Sequence, residues 1–377
     1  MTDGTRKSRS AAASGVHERT PHRIGQILDW GIGVPPLKDQ LDATQMAFDE
    51  AFESGLLDRP VEVITHEIEG LPYENFGVVR RAYLDLVARD CIGIIGPHIT
   101  EQAIAIKSVV DEVEVPTLAM CGTLRFHGPW HFLLPNGTFC DESALMVEVL
   151  SGKGVKSVGV LREDNSLGIE YFEFFRRAAR ERGIAIASEH QLGTYMSLDD
   201  ARRAVQRCRA DGAQALAYMG FGPSARHVFL AVEEAAATGW TVPRVTTSIF
   251  MGSIPDLGYG FQPSFYEGWI GVDQFDERNT VLQAVYDRFE TRFKRRPPLH
   301  CYLAIGFDMG NVMARALSMA HPATPDGLRE ALERVRMLPA AIGGPGTVIS
   351  FAPYDHRGYK GDYIVMRTME GGVNRRA

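Results

Sequence analysis

Hydroxyls and glycines gather at three places where a short apolar run stops and an amphipathic stretch begins. Asp29-Trp30-Gly31-Ile32-Gly33 follows Ile24 to Leu28, Gly96-Pro97-His98-Ile99-Thr100 follows Cys91 to Ile95, and Cys121-Gly122-Thr123 follows Thr117 to Met120. A helix start leaves backbone N–H groups without partners, and these, with a hydroxyl beside them, can receive a carboxylate or carbonyl oxygen. Thr100, Gly122 and Thr123 therefore read as one oxygen-binding group, with Thr100 as helix cap, ligand contact or both. Trp30 reads as a wall of the same site, where small neighbours let the backbone come close to a ligand. Phe139, Phe221 and Phe250 would add apolar surface, since small-molecule pockets are mostly apolar with a few placed polar groups.

Other constellations point away from catalysis. His127 and His131 flank Gly128-Pro129-Trp130; an i, i+4 histidine pair binds zinc only on a helix, and proline with glycine makes this stretch a loop. The glycines at 343, 344 and 346 lack the Lys-Ser/Thr of a phosphate loop and lead into a strand, so they read as a tight turn. There is no Gly-x-Ser-x-Gly elbow, and Glu163 and Asp164 stand without a His or Ser at a recognisable spacing. The expectation is a protein without catalytic residues, metal or cofactor.

The elements that must carry these loops alternate short β-branched runs with amphipathic stretches, the pattern of βαβ units and parallel sheets. Strands are predicted at Ile24 to Leu28, Val61 to Ile68, Cys91 to Ile95 and Thr117 to Met120, separated by helices at 40–55, 76–90 and 100–112. The rhythm restarts at Ser157 to Leu161 and runs to a strand at Arg244 to Thr247. Tyr266 to Val272 then leads into helices at 280–294, 299–319 and 326–335 and two last strands, Thr347 to Phe351 and Tyr363 to Thr368. Trp269, inside an apolar strand, reads as core.

At 377 residues, 45% of them hydrophobic, the chain is long enough for two cores. A net charge of −7 argues against a nucleic-acid surface, which needs a face rich in Lys and Arg. Arg295-Arg296 and Arg375-Arg376 are clusters too small to change that and read as solvated surface or tail. No apolar run is long enough to span a bilayer, so direct membrane insertion is not expected. Met1 to Arg23 holds no apolar run of the roughly 7–15 residues that an export signal requires, which predicts a cytoplasmic protein unless the true start lies upstream, in which case it would be periplasmic or at the cell surface. Cys91, Cys121, Cys140, Cys208 and Cys301 are odd in number and scattered, and read as reduced, mostly buried thiols.

The run IGIIGPHITEQAIAIKSVVDEVEVPTLAMCGT resembles the strand, Gly-Pro, Ser/Thr, helix, Val-Pro, strand, small residue, Thr segment of leucine/isoleucine/valine-binding proteins. SVGVLREDNSLGIEYFEFFRRAARERGI is similar to the opening of their second lobe, and AAATGWTVPRV, YEGWIGV, CYLAIGFDMGNVMARAL and GGPGTVISFAPYDHRGYKGDYIVMR resemble later landmarks in the same order. The resemblance, to type I periplasmic binding proteins of ABC transporters, covers Arg23 to about Thr368. It implies that Thr100, Cys121, Gly122 and Thr123 receive a ligand carboxylate, with Ile99 lining the site. It also implies an aromatic cover from the second lobe, whose position is taken by Leu167, and an acid for an ammonium within Gly137 to Asp141, where Phe139 or Asp141 would stand.

The expected fold is thus α/β, two doubly wound parallel-sheet lobes joined by about three crossovers. Residues 1–22 form a tail, 23–140 with 271–348 the first lobe, 141–270 with 349–370 the second, and 371–377 a second tail. The crossovers are expected near Phe139 to Ser143, Trp269 to Val272 and Ile349 to Phe351. The expected function is hinge closure around a small amino-acid-like molecule, a carboxylate or an amide, for an ABC-type transport system. A cytoplasmic ligand sensor of the same fold is the alternative. The partners would be that ligand, an ABC permease or a regulatory protein, with the chain a monomer or homodimer.

Overall fold

A computed structural model describes residues 20–29, 35–70, 76–135, 137–193, 195–222, 224–253 and 262–377. Its first half-repeat runs β1 (His22–Leu28), α1 (Pro35–Glu53), β2 (Val61–Glu67), α2 (Phe76–Ala88), β3 (Gly93–Ile95), α3 (Thr100–Val113), β4 (Thr117–Ala119) and β5 (His131–Leu133). These strands form a five-stranded parallel sheet in the order β2-β1-β3-β4-β5. The chain then enters the second lobe through α4 (Phe139–Gly152), β6 (Ser157–Glu163), α5 (Ser166–Glu181), β7 (Ala185–Leu192), α6 (Leu198–Ala210), β8 (Leu216–Met219), α7 (Ser224–Ala237), β9 (Arg244–Thr246) and β10 (Trp269–Asp273).

It returns with α8 (Thr280–Phe293), α9 (Cys301–Leu317) and α10 (Pro325–Leu332), and with the short strands β11 (Leu338–Pro339), β12 (Val348–Ile349) and β13 (Tyr359–Lys360). It ends on β14 (Val365–Glu370) and β15 (Val373–Arg376). The second sheet is seven-stranded, ordered β15-β14-β10-β9-β8-β6-β7, with β14 and β15 antiparallel at one edge.

Alternation along the strands explains why each sheet is covered on both faces. In β8, Ala217 and Met219 pack with Val147, Leu150 and Phe175 of α4 and α5, whereas Leu216 and Tyr218 join the cluster of Val205, Cys208 and Phe229 from α6 and α7. In the first lobe Ile27 and Ile94 meet Tyr83, Leu86 and Val110 of α2 and α3, and Ile24 and Leu28 lie in the cluster of α1 and α9. The α1–α9 contact is close because Gly306 and Gly310 lack side chains. A Cβ on Gly306 would stand 2.3 Å from the Gln40 carbonyl oxygen, and Thr44 Oγ1 donates to the Gly306 carbonyl at 2.9 Å.

Several boundaries differ from the sequence expectation. His131 begins a strand instead of lying in a loop, and Phe139 to Ser143 is the first turn of α4, so the first passage between lobes precedes it. The segment around Arg357 pairs with Leu133 beside the first sheet. The third passage therefore runs between Lys360 and Val365, beyond Ile349 to Phe351. The carboxyl-terminal residues are no loose tail: β15 pairs along β14, and Arg376 binds the buried Asp276 carboxylate. Arg295 likewise pairs with Asp39 and Asp42, and Arg296 with Asp287 and Glu290. Trp269 is fully buried against Phe229. All five cysteines are free, and only Cys140 is not fully buried.

Candidate functional site

The carboxyl ends of β3, β6, β8 and β9 converge on one cleft of about 510 Å³, counted with its open mouth. Its first-lobe wall is His98, Ile99, Thr100 and Glu101, and its second-lobe wall includes Glu163, Asn165, Leu167, Tyr171, Phe221, Thr247 and Ser248, with Phe139 at the passage between them. This is where parallel sheets collect ligands, because loops and helix starts there present unpaired groups.

Asp29, fully buried at the end of β1, organises the first wall. Its carboxylate accepts from the backbone N–H of His98 at 2.7 Å and of Ile99 at 3.0 Å, and lies 3.0 Å from His98 Nδ1. The other ring nitrogen of His98 is 2.6 Å from Gln40 Nε2. The cap of α3 is Ile99, without a side-chain bond. Thr100 is thus the first helical residue, a cleft wall rather than the cap, and Asp29 supplies the negative charge at this helix start.

On the second wall Glu163 is held by four donors: the Tyr218 hydroxyl and the Gly222 amide at 2.7 Å, Asn165 Nδ2 at 3.0 Å and the Phe221 amide at 3.2 Å. Behind Phe139 and Tyr171 lies Glu142, whose Oε2 accepts from the Tyr171 hydroxyl at 2.7 Å and from the Ser248 amide at 2.9 Å, while Oε1 has no partner among the described residues. Burial pushes the Glu142 carboxyl up to about 8, more strongly than those two donors pull it down. The Tyr171 hydroxyl is pushed up by burial and by Glu142.

Carboxylates also tie the lobes together across the mouth. Glu101 Oε1 accepts from the Leu167 amide at 3.2 Å. Glu170, on α5, accepts from Thr123 Oγ1 at 2.7 Å and from the Leu124 amide at 3.0 Å.

Of the residues nominated from sequence, Ile99, Thr100, Phe139, Leu167 and Phe221 come together in the cleft. Trp30 lies outside the described residues. Thr123 is buried and turned to Glu170, and burial pushes the Cys121 thiol up, so it offers no charged group. Gly122 acts through its neighbour: a Cβ there would sit 2.7 Å from Phe139 Cε1, so the absent side chain leaves room for that ring. Phe250 packs on Tyr266 and against Gly271, away from the cleft lining.

Asp141 also points elsewhere. Burial works against its charge, but bonds from Thr138 and Tyr363 and the Arg357 guanidinium outweigh it and hold the carboxyl below the ordinary range. The reason is helical phase: α4 starts at Phe139, so positions 139, 142 and 143 face inward and 141 faces out. Glu142 is the inward acid, one residue past the stretch nominated for it. Tyr171, one turn after Leu167, supplies the aromatic surface expected at Leu167.

His127 and His131 do not form a pair. His127 Nδ1 is 3.0 Å from the Leu124 carbonyl oxygen, and His131 is buried beside Asp111. Among the described residues no group of His, Cys, Asp and Glu is placed to hold a metal ion. Nor is any helix among them long and apolar enough to cross a membrane.

Comparison with known proteins agrees with this geometry. A family model described as periplasmic binding protein matches residues 31–372. An ABC transporter substrate-binding protein from Desulfitobacterium hafniense, solved in complex with Leu, superimposes with a TM-score of 0.75 at 18% identity, covering 95% of this chain and 100% of that one. A leucine-binding protein from Thermotoga maritima gives 0.76 at 15% identity over 94% and 97% of the two chains. A possible leucine/isoleucine/valine-binding protein from Rhodopirellula baltica gives 0.77 at 16% over 97% and 98%. No curated protein matches the chain. With the family model spanning nearly the whole sequence and two doubly wound lobes meeting at a cleft, the chain belongs to the periplasmic binding protein family and has its type I fold.

Proposed function

We propose that this protein is the substrate-binding component of an ABC-type transport system, and that it holds a small polar molecule by closing its lobes around it. The observation that carries the reading is the cleft itself, lined from both lobes at strand carboxyl ends and spanned by the Glu101 and Glu170 bonds. A ligand that touches both walls binds the closed state better than the open one and shifts the hinge equilibrium by that difference. The passages that serve as hinge are the segments before Phe139, after Asp273 and between Lys360 and Val365.

Among the described residues the cleft holds no nucleophile with a positioned base: Thr100, Thr247 and Ser248 line it, while His98 is engaged with Asp29 and Gln40. That supports binding without turnover. A periplasmic site of action fits the family, and the cytoplasmic expectation drawn from the amino-terminal composition gains no support from it.

The test is calorimetric titration of ligands found by thermal shift, on the wild-type chain and on Thr100→Trp, which fills the cleft. Binding abolished by the substitution supports the reading. Binding unchanged by it places the ligand elsewhere.

A further inference from the structure

We infer that the cleft selects an organic ammonium ion and discriminates against carboxylates; this rests on the reading of the cleft as the ligand site.

Three observations carry it. The first is that, at both places where first-lobe donors would receive a ligand carboxylate, carboxylates of the chain already take part of the donor set. Asp29 takes the His98 and Ile99 amides ahead of α3. Glu170 takes the Thr123 hydroxyl and the Leu124 amide after β4. A second anion at either place would lie beside a protein carboxylate, and like charges in a partly desolvated site repel.

The second observation is the charge of the lining. Glu101 and Glu163 are carboxylates in the wall, and no lysine or arginine is among the described lining residues. His98 faces Asp29, so that pair adds no net positive charge. Arg162, adjacent to Glu163, turns away to Glu189 at 2.6 Å, and Arg357 turns to Asp141. The internal segments outside the described residues contain no Lys or Arg.

The third is aromatic surface. Phe139 and Tyr171 form a ring pair with centroids 4.3 Å apart, and Phe221 stands on the same wall. Ring faces beside carboxylates attract a cation, and a ring face offers a carboxylate no hydrogen-bond donor.

The experiment titrates the full chain near neutral pH with two matched sets: isopentylamine, leucine and 4-methylpentanoate, then phenylethylamine, phenylalanine and 3-phenylpropanoate. In the set whose skeleton fits, the amine is expected to bind at least about tenfold more tightly than the carboxylate, with the zwitterion between them. Glu101→Gln, which keeps an oxygen for the Leu167 amide but removes the charge, should narrow that gap several-fold. A carboxylate or zwitterion that binds as tightly as its amine overturns the inference while leaving the cleft reading intact, as does silence from both amines at millimolar concentration. Amine binding that persists in Thr100→Trp overturns the cleft reading, and the inference with it.

Discussion

Replacing Glu142 with glutamine should flatten the pH dependence of stability. The carboxyl is fully buried, with Oε2 bonded to Tyr171 and Ser248 and Oε1 without a partner among the described residues. Its folded value is raised to about 8 from the ordinary 4.5. Below about pH 4.5 both folded and unfolded chains carry the proton. Between there and about pH 8 the unfolded chain releases it while the folded chain keeps it, so stability falls by about 1.4 kcal/mol per pH unit. Above about pH 8 both forms are ionised and the loss levels off. The whole span corresponds to roughly 3–5 kcal/mol.

Glutamine does not ionise and escapes this loss, although its amide, placed where Oε1 has no partner, costs about 1–3 kcal/mol at every pH. The two stability profiles should therefore converge or cross as pH rises. Urea unfolding from acidic to alkaline pH, followed by tryptophan fluorescence, reads the difference in slope. Parallel profiles for wild type and Glu142→Gln would refute the reasoning.

Three further substitutions probe the fold and the closed state. Gly306→Ala puts a Cβ 2.3 Å from the Gln40 carbonyl oxygen; α1 must move off α9 at a cost of about 1–3 kcal/mol in unfolding free energy, and an unchanged value would contradict their close approach. Glu170→Ala removes bonds from Thr123 and Leu124 that exist only while the lobes touch. Hydrogen bonds to a charged acceptor contribute about 1.5–3 kcal/mol, so ligand Kd should rise about tenfold or more and the radius of gyration of the free protein should grow in small-angle scattering. Gly122→Ala drives its Cβ against Phe139 Cε1 and the Gly137 carbonyl oxygen. The ring must shift toward the cleft, so titration should show a loss of affinity even where unfolding shows little loss of stability.

The sheets were legible in the sequence because buried parallel strands are apolar runs closed by glycine, proline or a capping residue, and β1, β3, β6 and β8 show this directly. Topology then nominated the strand ends at which the cleft lies, which is why Ile99, Thr100, Leu167 and Phe221 were named and also line it. Less legible was anything that depends on helical phase or on distant partners. Three residues of β5, set after Gly128-Pro129, carry too little periodicity to show as a strand. One position in α4 separates an outward Asp141 from an inward Glu142, and sequence alone did not fix where that helix begins. Asp29 and Glu170 take first-lobe donors through contacts 69 and 47 residues away, which no local pattern records. The closing strand β15 is charged and Gly-flanked, and only its pairing with β14 distinguishes it from a tail.

The central claim, that a ligand sits between the lobes and draws them together, is tested most directly by hydrogen–deuterium exchange of the free and ligand-saturated chain. Binding should slow exchange together at the start of α3, around His98 to Glu101, and at the start of α5, around Asn165 to Tyr171, because both walls are ordered by the same molecule. Protection confined to one wall, or appearing away from both, would contradict it.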